Sequence, residues 1–213
     1  MVQIGIVLVL LGFAGFLFYR FFPSIWGETV YPLEYQDWVR KYAKEFGLEP
    51  NELATMIYIE SHWNPNATSP VGARGLTQVM PGTGAGIARE LGDTNYSPDK
   101  LYDPETAIRY GAYYLGNNKK KYGSTELALI AYNGGPARAD AYSEGRGTLP
   151  RETEGYIRKF QSVFGGYLST YGTLWYDENV DFKTLSQKQR QQDLHAFLSP
   201  IVEIFGLKIK TSL

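Results

Sequence analysis

The sequence contains no cysteine and has almost no excess of charge of either sign. Without cysteine there can be no disulfide, iron–sulfur cluster, thiolate zinc site or cysteine nucleophile. The formal net charge of -1 argues against a nucleic-acid-binding protein, which would carry a concentrated basic surface. The only two histidines, His62 and His195, lie far apart, so we expect no metal site and no cofactor.

What the chain does contain is enough apolar material for a packed core. It has 213 residues, of which 44% are hydrophobic and 15% aromatic, and 17 are tyrosines. That length suits one globular domain with additional segments. The low hydrophobicity and high charge typical of disordered chains are absent.

The amino-terminal segment from Val2 to Tyr19 is almost entirely apolar, and Arg20 closes it. A helix of about 18 residues, rising ~1.5 Å per residue, is roughly 27 Å long, close to the ~30 Å hydrocarbon core of a bilayer. A cleaved signal peptide would need a basic residue near its start and a small-residue cleavage site, and neither is present. We therefore predict an uncleaved transmembrane anchor over residues 1–22, followed by a linker over residues 23–32.

The remainder has the spacing of helices and no convincing period-2 strand. Apolar periodicity bounded by proline, glycine and asparagine predicts helices over about 35–46, 50–63, 104–122, 124–132 and 150–164, with another helix starting after Pro81. The predicted fold is mainly α. Residues 33–167 form the main domain, and residues 168–213 form a carboxyl-terminal extension whose role the sequence does not indicate.

Glu60 is the residue that suggests chemistry. Leu53, Met56 and Ile57 precede it by seven, four and three positions, so all share one face of the predicted helix. A carboxyl group at the end of an apolar stripe has a raised pKa, which suits a general acid working near neutral pH. The alternative is an ordinary glutamate at a helix end that points to solvent, and periodicity alone leaves both interpretations open.

A series of motifs surrounds and follows Glu60. In order, they are ES at 60–61 with NP at 64–65, SPVGARGLTQVMP at 69–81, DPE at 103–105, GAYYL at 111–115, AYNGGP at 131–136, and LPRET at 149–153 with Tyr156. In this order and at this spacing they resemble the soluble-type lytic transglycosylases. Those are peptidoglycan-cleaving enzymes with a lysozyme-like catalytic domain related to goose-type lysozyme. The resemblance covers about residues 35–165.

The resemblance implies a mechanism and a set of site residues. Glu60 would be the sole catalytic acid/base, first protonating the glycosidic oxygen between N-acetylmuramic acid and N-acetylglucosamine. It would then deprotonate the muramyl 6-hydroxyl, which attacks the anomeric carbon to leave a 1,6-anhydro end. Most glycosidases use two carboxylates instead. The substrate-binding residues implied are Ser61, Gly75, Leu76, Gln78, Met80, Tyr132, Asn133 and Tyr156.

One position departs from the family pattern. Thr77 stands where the family usually has methionine, so a hydroxyl replaces a sulfur–ring contact, with an expected effect on cleft affinity. Two other functions stay open. One is a hydrolytic muramidase on the same fold, and the other is a non-catalytic glycan-binding or structural subunit.

The expected cellular location and partners follow from the predicted anchor and the expected substrate together. Arg20 and Lys41 lie after the apolar run, and the positive-inside rule would place the carboxyl-terminal side in the cytoplasm. Murein lies outside the cytoplasmic membrane, so we expect a single-pass protein whose catalytic domain faces the cell wall on the periplasmic side. The virion membrane of a bacteriophage is the alternative. The expected partners are glycan strands, the bilayer through residues 2–19, and a secretion system or virion assembly.

Overall fold

The computed structural model of the protein describes residues 11–16, 18, 27–172, 175 and 192. Two compact units divide the chain. Leu33–Leu168 forms one, and Met1–Pro32 together with Ser169–Leu213 forms the other. The regular structure described is helical, and β pairing among the described residues is limited to isolated bridges within 68–79. The mainly α architecture predicted from periodicity is therefore confirmed for this part of the chain.

The helices follow one another with short connections. They are α1 (Gln36–Glu45), α2 (Pro50–Ser61), α3 (Pro81–Glu90), a 3-10 turn (Pro98–Tyr102), α4 (Pro104–Tyr122), α5 (Thr125–Gly134), α6 (Pro136–Ser143) and α7 (Arg151–Tyr171).

Local chemistry sets several of these boundaries. Proline occupies the first turn of α2, α3, α4 and α6, where its missing N–H is not needed. Asp103 and Ser124 cap α4 and α5 by accepting from backbone N–H groups of the first turn. Gly123 ends α4 in the left-handed conformation, with φ 63°.

Helix α4 is the centre of the Leu33–Leu168 unit and packs against α1, α3 and α5. Its Ile108, Tyr110 and Leu115 are completely or almost completely buried. A Cβ placed at Gly111 would lie 2.5 Å from the Thr77 side chain, so glycine lets the segment before α3 approach the helix closely. Helix α4 thereby supports both α5 and the loop that leads into α3.

Some predicted boundaries were wrong. Helix α2 ends at Ser61, two residues before the predicted end, because His62 and Trp63 adopt left-handed φ values of 51° and 63°. Helix α7 does not stop at 164 but continues through Gly165 to Tyr171. Burial continues past the glycine, since Tyr167 is fully buried and its hydroxyl accepts from the Trp63 indole at 2.8 Å. The sequence did not predict α6 or the 3-10 turn.

The predicted anchor and carboxyl-terminal extension fall mostly outside the described residues. Of the anchor, residues 11–16 and 18 are described and are helical, and within the linker residues 27–30 are helical. No helix among the described residues is both long enough and apolar enough to cross a bilayer. In the second unit, the Tyr171 hydroxyl donates to the Tyr31 carbonyl at 2.7 Å.

Candidate active site

Glu60 lies in the last turn of α2. Glu49 and Glu52 begin this helix with a reciprocal capping box, and Pro50 follows Glu49 in the first turn. Leu53, Met56 and Ile57 are fully buried, in agreement with the apolar face inferred from their spacing. The Glu60 side chain continues that face but is only half-buried, which leaves the carboxyl at the boundary between core and solvent.

Helix α7 supplies the partner of Glu60. The Tyr156 hydroxyl donates to Glu60 Oε1 at 2.6 Å. One turn further along, Lys159 Nζ lies 3.4 Å from the Ile59 carbonyl oxygen, beside the end of α2. Burial raises the pKa of Glu60 to about 7, even though the Tyr156 hydrogen bond and the Lys159 charge both oppose the rise. Near neutral pH, Glu60 is thus divided between its acid and base forms.

Tyr132, near the end of α5, is the second tyrosine of the site. Its hydroxyl donates to the Thr77 carbonyl at 2.6 Å, and its ring lies 5.2 Å from that of Tyr114. Burial and the neighbouring Glu60 carboxylate raise the pKa of Tyr132 well above its usual value. The same two causes, with the hydrogen bond to Glu60, raise the pKa of Tyr156. Both phenols therefore keep their protons and act as hydrogen-bond donors.

The loop between α2 and α3 is held by its own backbone. Gly75 has φ +70°, and a Cβ there would lie 1.7 Å from the Leu101 carbonyl oxygen, so no other residue fits. Gln78 has φ 47°, and its Nε2 donates to the Ala67 and Gly75 carbonyls at 3.2 and 2.9 Å. The loop conformation therefore depends on both residues.

Two further predicted residues are buried beneath this loop. Leu76 is fully buried, and its carbonyl accepts from the Ser61 hydroxyl at 2.8 Å. Ser61 also lies 3.1 Å from the Ile57 carbonyl. It joins the end of α2 to the loop through these contacts. Met80 differs from both, since 41% of its surface is exposed just before α3.

Thr77 does not offer its hydroxyl to the cleft. The residue is fully buried, and the hydroxyl donates to the Ala107 carbonyl on α4 at 2.7 Å. Its own carbonyl is the acceptor for Tyr132. The threonine therefore connects the loop to α4 and α5. The effect on cleft affinity expected from the sequence stays a prediction.

Asn133 is the remaining predicted substrate-binding residue. It is half-buried, and its Oδ1 accepts from the Thr153 hydroxyl at 3.0 Å. The structure thus places Tyr132 and Tyr156 close to the Glu60 carboxyl. Three other predicted residues make contacts that shape the loop instead, namely Ser61, Leu76 and Gln78. Sequence reasoning missed Thr153 and Lys159. The signal for both was their spacing of three residues before and after Tyr156, which makes each a neighbour of Tyr156 on the helix surface.

His62 lies beside the site and is exposed, with its ring tilted by 59° against that of Tyr58 and the two ring centres 4.7 Å apart. Within the described residues, no group of three or more His, Cys, Asp or Glu side chains is arranged to hold a metal ion.

Comparison with known proteins identifies the family. The model of the Transglycosylase SLT domain family matches residues 37–154. The soluble lytic murein transglycosylase of Escherichia coli K12 is 35% identical over 144 residues, covering 62% of this chain and 22% of that protein. A transglycosylase of Enterobacteria phage PRD1 is 38% identical over 108 residues, covering 51% of this chain and 37% of its own length.

A solved structure agrees with the sequence relatives. The 70-kDa soluble lytic transglycosylase from Escherichia coli superposes with a TM-score of 0.63 and 30% identity, over 75% of this chain and 30% of that one. This chain therefore corresponds to less than a third of the length of that larger protein. The family match spans more than half of the present sequence and includes the Glu60–Tyr132 pair, with Tyr156 just beyond its end. The chain belongs to the Transglycosylase SLT domain family.

Proposed function

We propose that this protein is a membrane-anchored lytic transglycosylase. It cleaves the β-1,4 bond between N-acetylmuramic acid and N-acetylglucosamine without water and leaves a 1,6-anhydro-muramyl end. The observation that carries this proposal is a single half-buried carboxyl group, Glu60, which accepts from the Tyr156 hydroxyl at 2.6 Å and whose pKa burial raises to about 7. Among the described residues, no second carboxylate shifts the pKa of Glu60. In the sites of most glycosidases, a second carboxylate lies opposite the acid.

In the first step, protonated Glu60 gives its proton to the glycosidic oxygen as the bond from that oxygen to the muramyl anomeric carbon breaks. The N-acetylglucosamine unit leaves as an alcohol. Positive charge develops on the sugar ring, and Glu60 is now a carboxylate. Tyr156 stabilises the carboxylate by donating a charge-assisted hydrogen bond at 2.6 Å.

In the second step, the Glu60 carboxylate takes the proton of the muramyl 6-hydroxyl. The 6-oxygen bonds to the anomeric carbon and closes the 1,6-anhydro ring, and Glu60 is again protonated. A group that donates and then recovers a proton works best with a pKa close to the working pH. One carboxyl is therefore sufficient, because the substrate supplies the nucleophile.

The alternative is a hydrolytic muramidase, in which Glu60 activates water instead of the 6-hydroxyl. The same acid and the same tyrosines would serve both reactions, so the products distinguish them. A non-catalytic glycan-binding subunit is the other alternative. The raised pKa of Glu60 speaks against it, since proton transfer needs a pKa close to the working pH and simple sugar binding does not.

We further propose that residues 1–22 anchor the domain in a bilayer with its site facing the cell wall. Support comes from the apolar run of Val2–Tyr19. Anchoring would confine cutting to one place, as an envelope-spanning machine or a phage delivery apparatus requires. The phage relative is compatible with a virion membrane. A chain shortened to begin near Val30 tests the anchor, since it should stay in solution and remain active, whereas insolubility or inactivity would make residues 1–29 part of the folded unit.

The reaction is tested by incubating the full-length chain, in mild detergent, with purified peptidoglycan. Mass spectrometry of the released muropeptides gives the outcome. Products one water lighter than the hydrated species, with 1,6-anhydro-muramyl ends, support the proposal. Reducing muramyl ends mean a hydrolase. Binding to murein without any release supports the non-catalytic alternative.

A further inference from the structure

The amide of Asn133 has two chemically opposite ends. Its Oδ1 accepts hydrogen bonds and its Nδ2 donates them. Asn133 is half-buried at the end of α5, and one end of its amide meets the Thr153 hydroxyl at 3.0 Å. Thr153 is fully buried. Which end faces Thr153 decides what Asn133 can offer to a ligand.

Arg138 supports that orientation. Its Nη1 lies 3.2 Å from the same Thr153 hydroxyl. A guanidinium group can only donate, so the Thr153 oxygen accepts from Arg138. The Thr153 hydroxyl in turn donates its proton to Asn133 Oδ1 at 3.0 Å. The Oδ1 end of Asn133 therefore faces Thr153, and its NH2 group is not used in this contact.

Gly134 leaves space for the Arg138 side chain to reach Thr153. A Cβ at Gly134 would lie 2.5 Å from Arg138 Nη1 and 2.6 Å from its Cδ. Glycine at 134 lets the arginine side chain lie close to the end of α5, where it reaches Thr153. A larger residue at 134 would displace the guanidinium.

Helix α7 relates this contact to Glu60. Thr153 and Tyr156 are three residues apart, so they lie on the same face of the helix, about one turn of ~5 Å apart. Tyr156 donates to Glu60, and Thr153 donates to Asn133. The contacts to Asn133 and to Glu60 therefore both start from one face of α7, at residues about one turn apart.

We propose that Arg138 and Thr153 are positioning residues that hold Asn133 as a hydrogen-bond donor to the glycan. Its ligand is an acceptor oxygen, carbonyl or hydroxyl, on a sugar next to the bond that Glu60 cleaves. The identity of this ligand rests on the proposed function. The orientation of the amide does not.

The test compares Thr153→Val, which is isosteric but lacks the hydroxyl, with Thr153→Ser, which keeps it. The full-length chain is assayed in mild detergent on purified peptidoglycan. We expect Thr153→Val to lower kcat/KM about tenfold, as loss of one oriented hydrogen bond would. Thr153→Ser should stay within about twofold. The pH dependence of the rate should not move in either variant, since Glu60 keeps its partners.

An Asn133→Ala background separates positioning from general stability. There, Thr153→Val should have no further effect on kcat/KM, because the group it positions is already gone. Equal losses from Thr153→Val in both backgrounds would overturn the inference, as would wild-type kcat/KM in Thr153→Val itself.

A second readout does not depend on turnover. In chains labelled with [15N]asparagine, the NH2 signal of Asn133 is identified by its loss in Asn133→Ala. We expect this signal to shift and broaden in Thr153→Val and to stay in place in Thr153→Ser. An unchanged signal in Thr153→Val overturns the inference. A wild-type chain that releases no muropeptide contradicts the proposed function instead, and the signal still decides the orientation.

Discussion

The two ends of α2 each carry a buried or half-buried glutamate, and the two are held in opposite ways. At the start of the helix, Glu52 accepts from Lys119 through both oxygens at 2.8 and 2.7 Å, from the Thr125 hydroxyl at 2.9 Å and from the Glu49 N–H at 2.8 Å. At the end, Glu60 has one hydrogen-bonding partner among the described residues, Tyr156.

The difference shows that burial alone does not make a catalytic acid. Both carboxyl groups have left much of the solvent, but a lysine and two further hydrogen bonds compensate the charge of Glu52. The charge of Glu60 is compensated by the Tyr156 phenol and the exposed Lys159 ammonium, so burial prevails and raises its pKa to about 7. Glu52 is thus suited to holding helices together, and Glu60 to exchanging a proton.

The largest expected effect comes from Glu60→Gln. The amide keeps the size of the side chain and can still accept from Tyr156, but it cannot donate and recover a proton. We expect turnover of purified peptidoglycan to fall by about 10³-fold or more, with unchanged thermal stability. Glu126→Gln, at an exposed position on α5, is the control and should behave as wild type. Substantial residual lysis by Glu60→Gln would remove Glu60 as the catalyst.

Glu52→Gln should show the reverse pattern. The amide can no longer accept at every oxygen position and leaves the Lys119 charge without a partner. We expect the free energy of unfolding to fall by about 2 kcal/mol, measured by urea denaturation. Activity per folded molecule should stay within about twofold. A strong loss of activity in a well-folded Glu52→Gln chain would contradict the division of roles.

Tyr156→Phe affects the pH dependence of the reaction. The tyrosine stabilises ionised Glu60, so its loss raises the pKa of Glu60 above about 7. Because the first step requires protonated Glu60, the wild-type rate should fall as the pH rises through about 7. In Tyr156→Phe this fall should move to higher pH, and the rate at the optimum should drop about tenfold. The exposed Tyr142 supplies the control, Tyr142→Phe. A fall at the wild-type pH would mean that Tyr156 does not act on Glu60.

The smallest expected effect is that of Lys159→Gln. The lysine charge also lowers the pKa of Glu60, but its side chain is exposed and therefore screened by solvent. We expect the descending side of the pH–rate profile to move upward by less than in Tyr156→Phe, and to do so less at high salt. Lys120→Gln, at another exposed lysine, should not move it. A downward movement would reverse the sign of the interaction.

Much of the helical framework could be predicted because its signals are local. The bounds Pro104–Tyr122 of α4 follow from an aspartate cap, a proline and a terminal glycine, all of which are written in sequence. The end of α7 could not be predicted in this way. Gly165 predicts that the helix ends there. The helix continues because Tyr167 makes a buried contact with Trp63, a residue far away in sequence.

The site residues show the same contrast between local sequence signals and contacts made over long distances in sequence. Glu60 was found because its apolar neighbours recur at helical spacing, and Tyr156 because it belongs to a recognisable motif. The roles of Thr77 and Thr153 were not predictable, since both depend on hydrogen bonds to other helices or loops. A threonine in the sequence does not indicate which carbonyl or amide its hydroxyl will hydrogen-bond.

The most direct test of the account is the titration of Glu60 itself. In the full-length chain labelled with 13C at the glutamate carboxyl carbon, the Glu60 resonance is the one lost in Glu60→Gln. Because burial raises the pKa of Glu60, we expect this resonance to titrate with a midpoint at about pH 7. A midpoint near 4.5, the ordinary value for glutamate, would mean that burial does not hold the proton on Glu60, and the single-carboxyl mechanism would lose its basis.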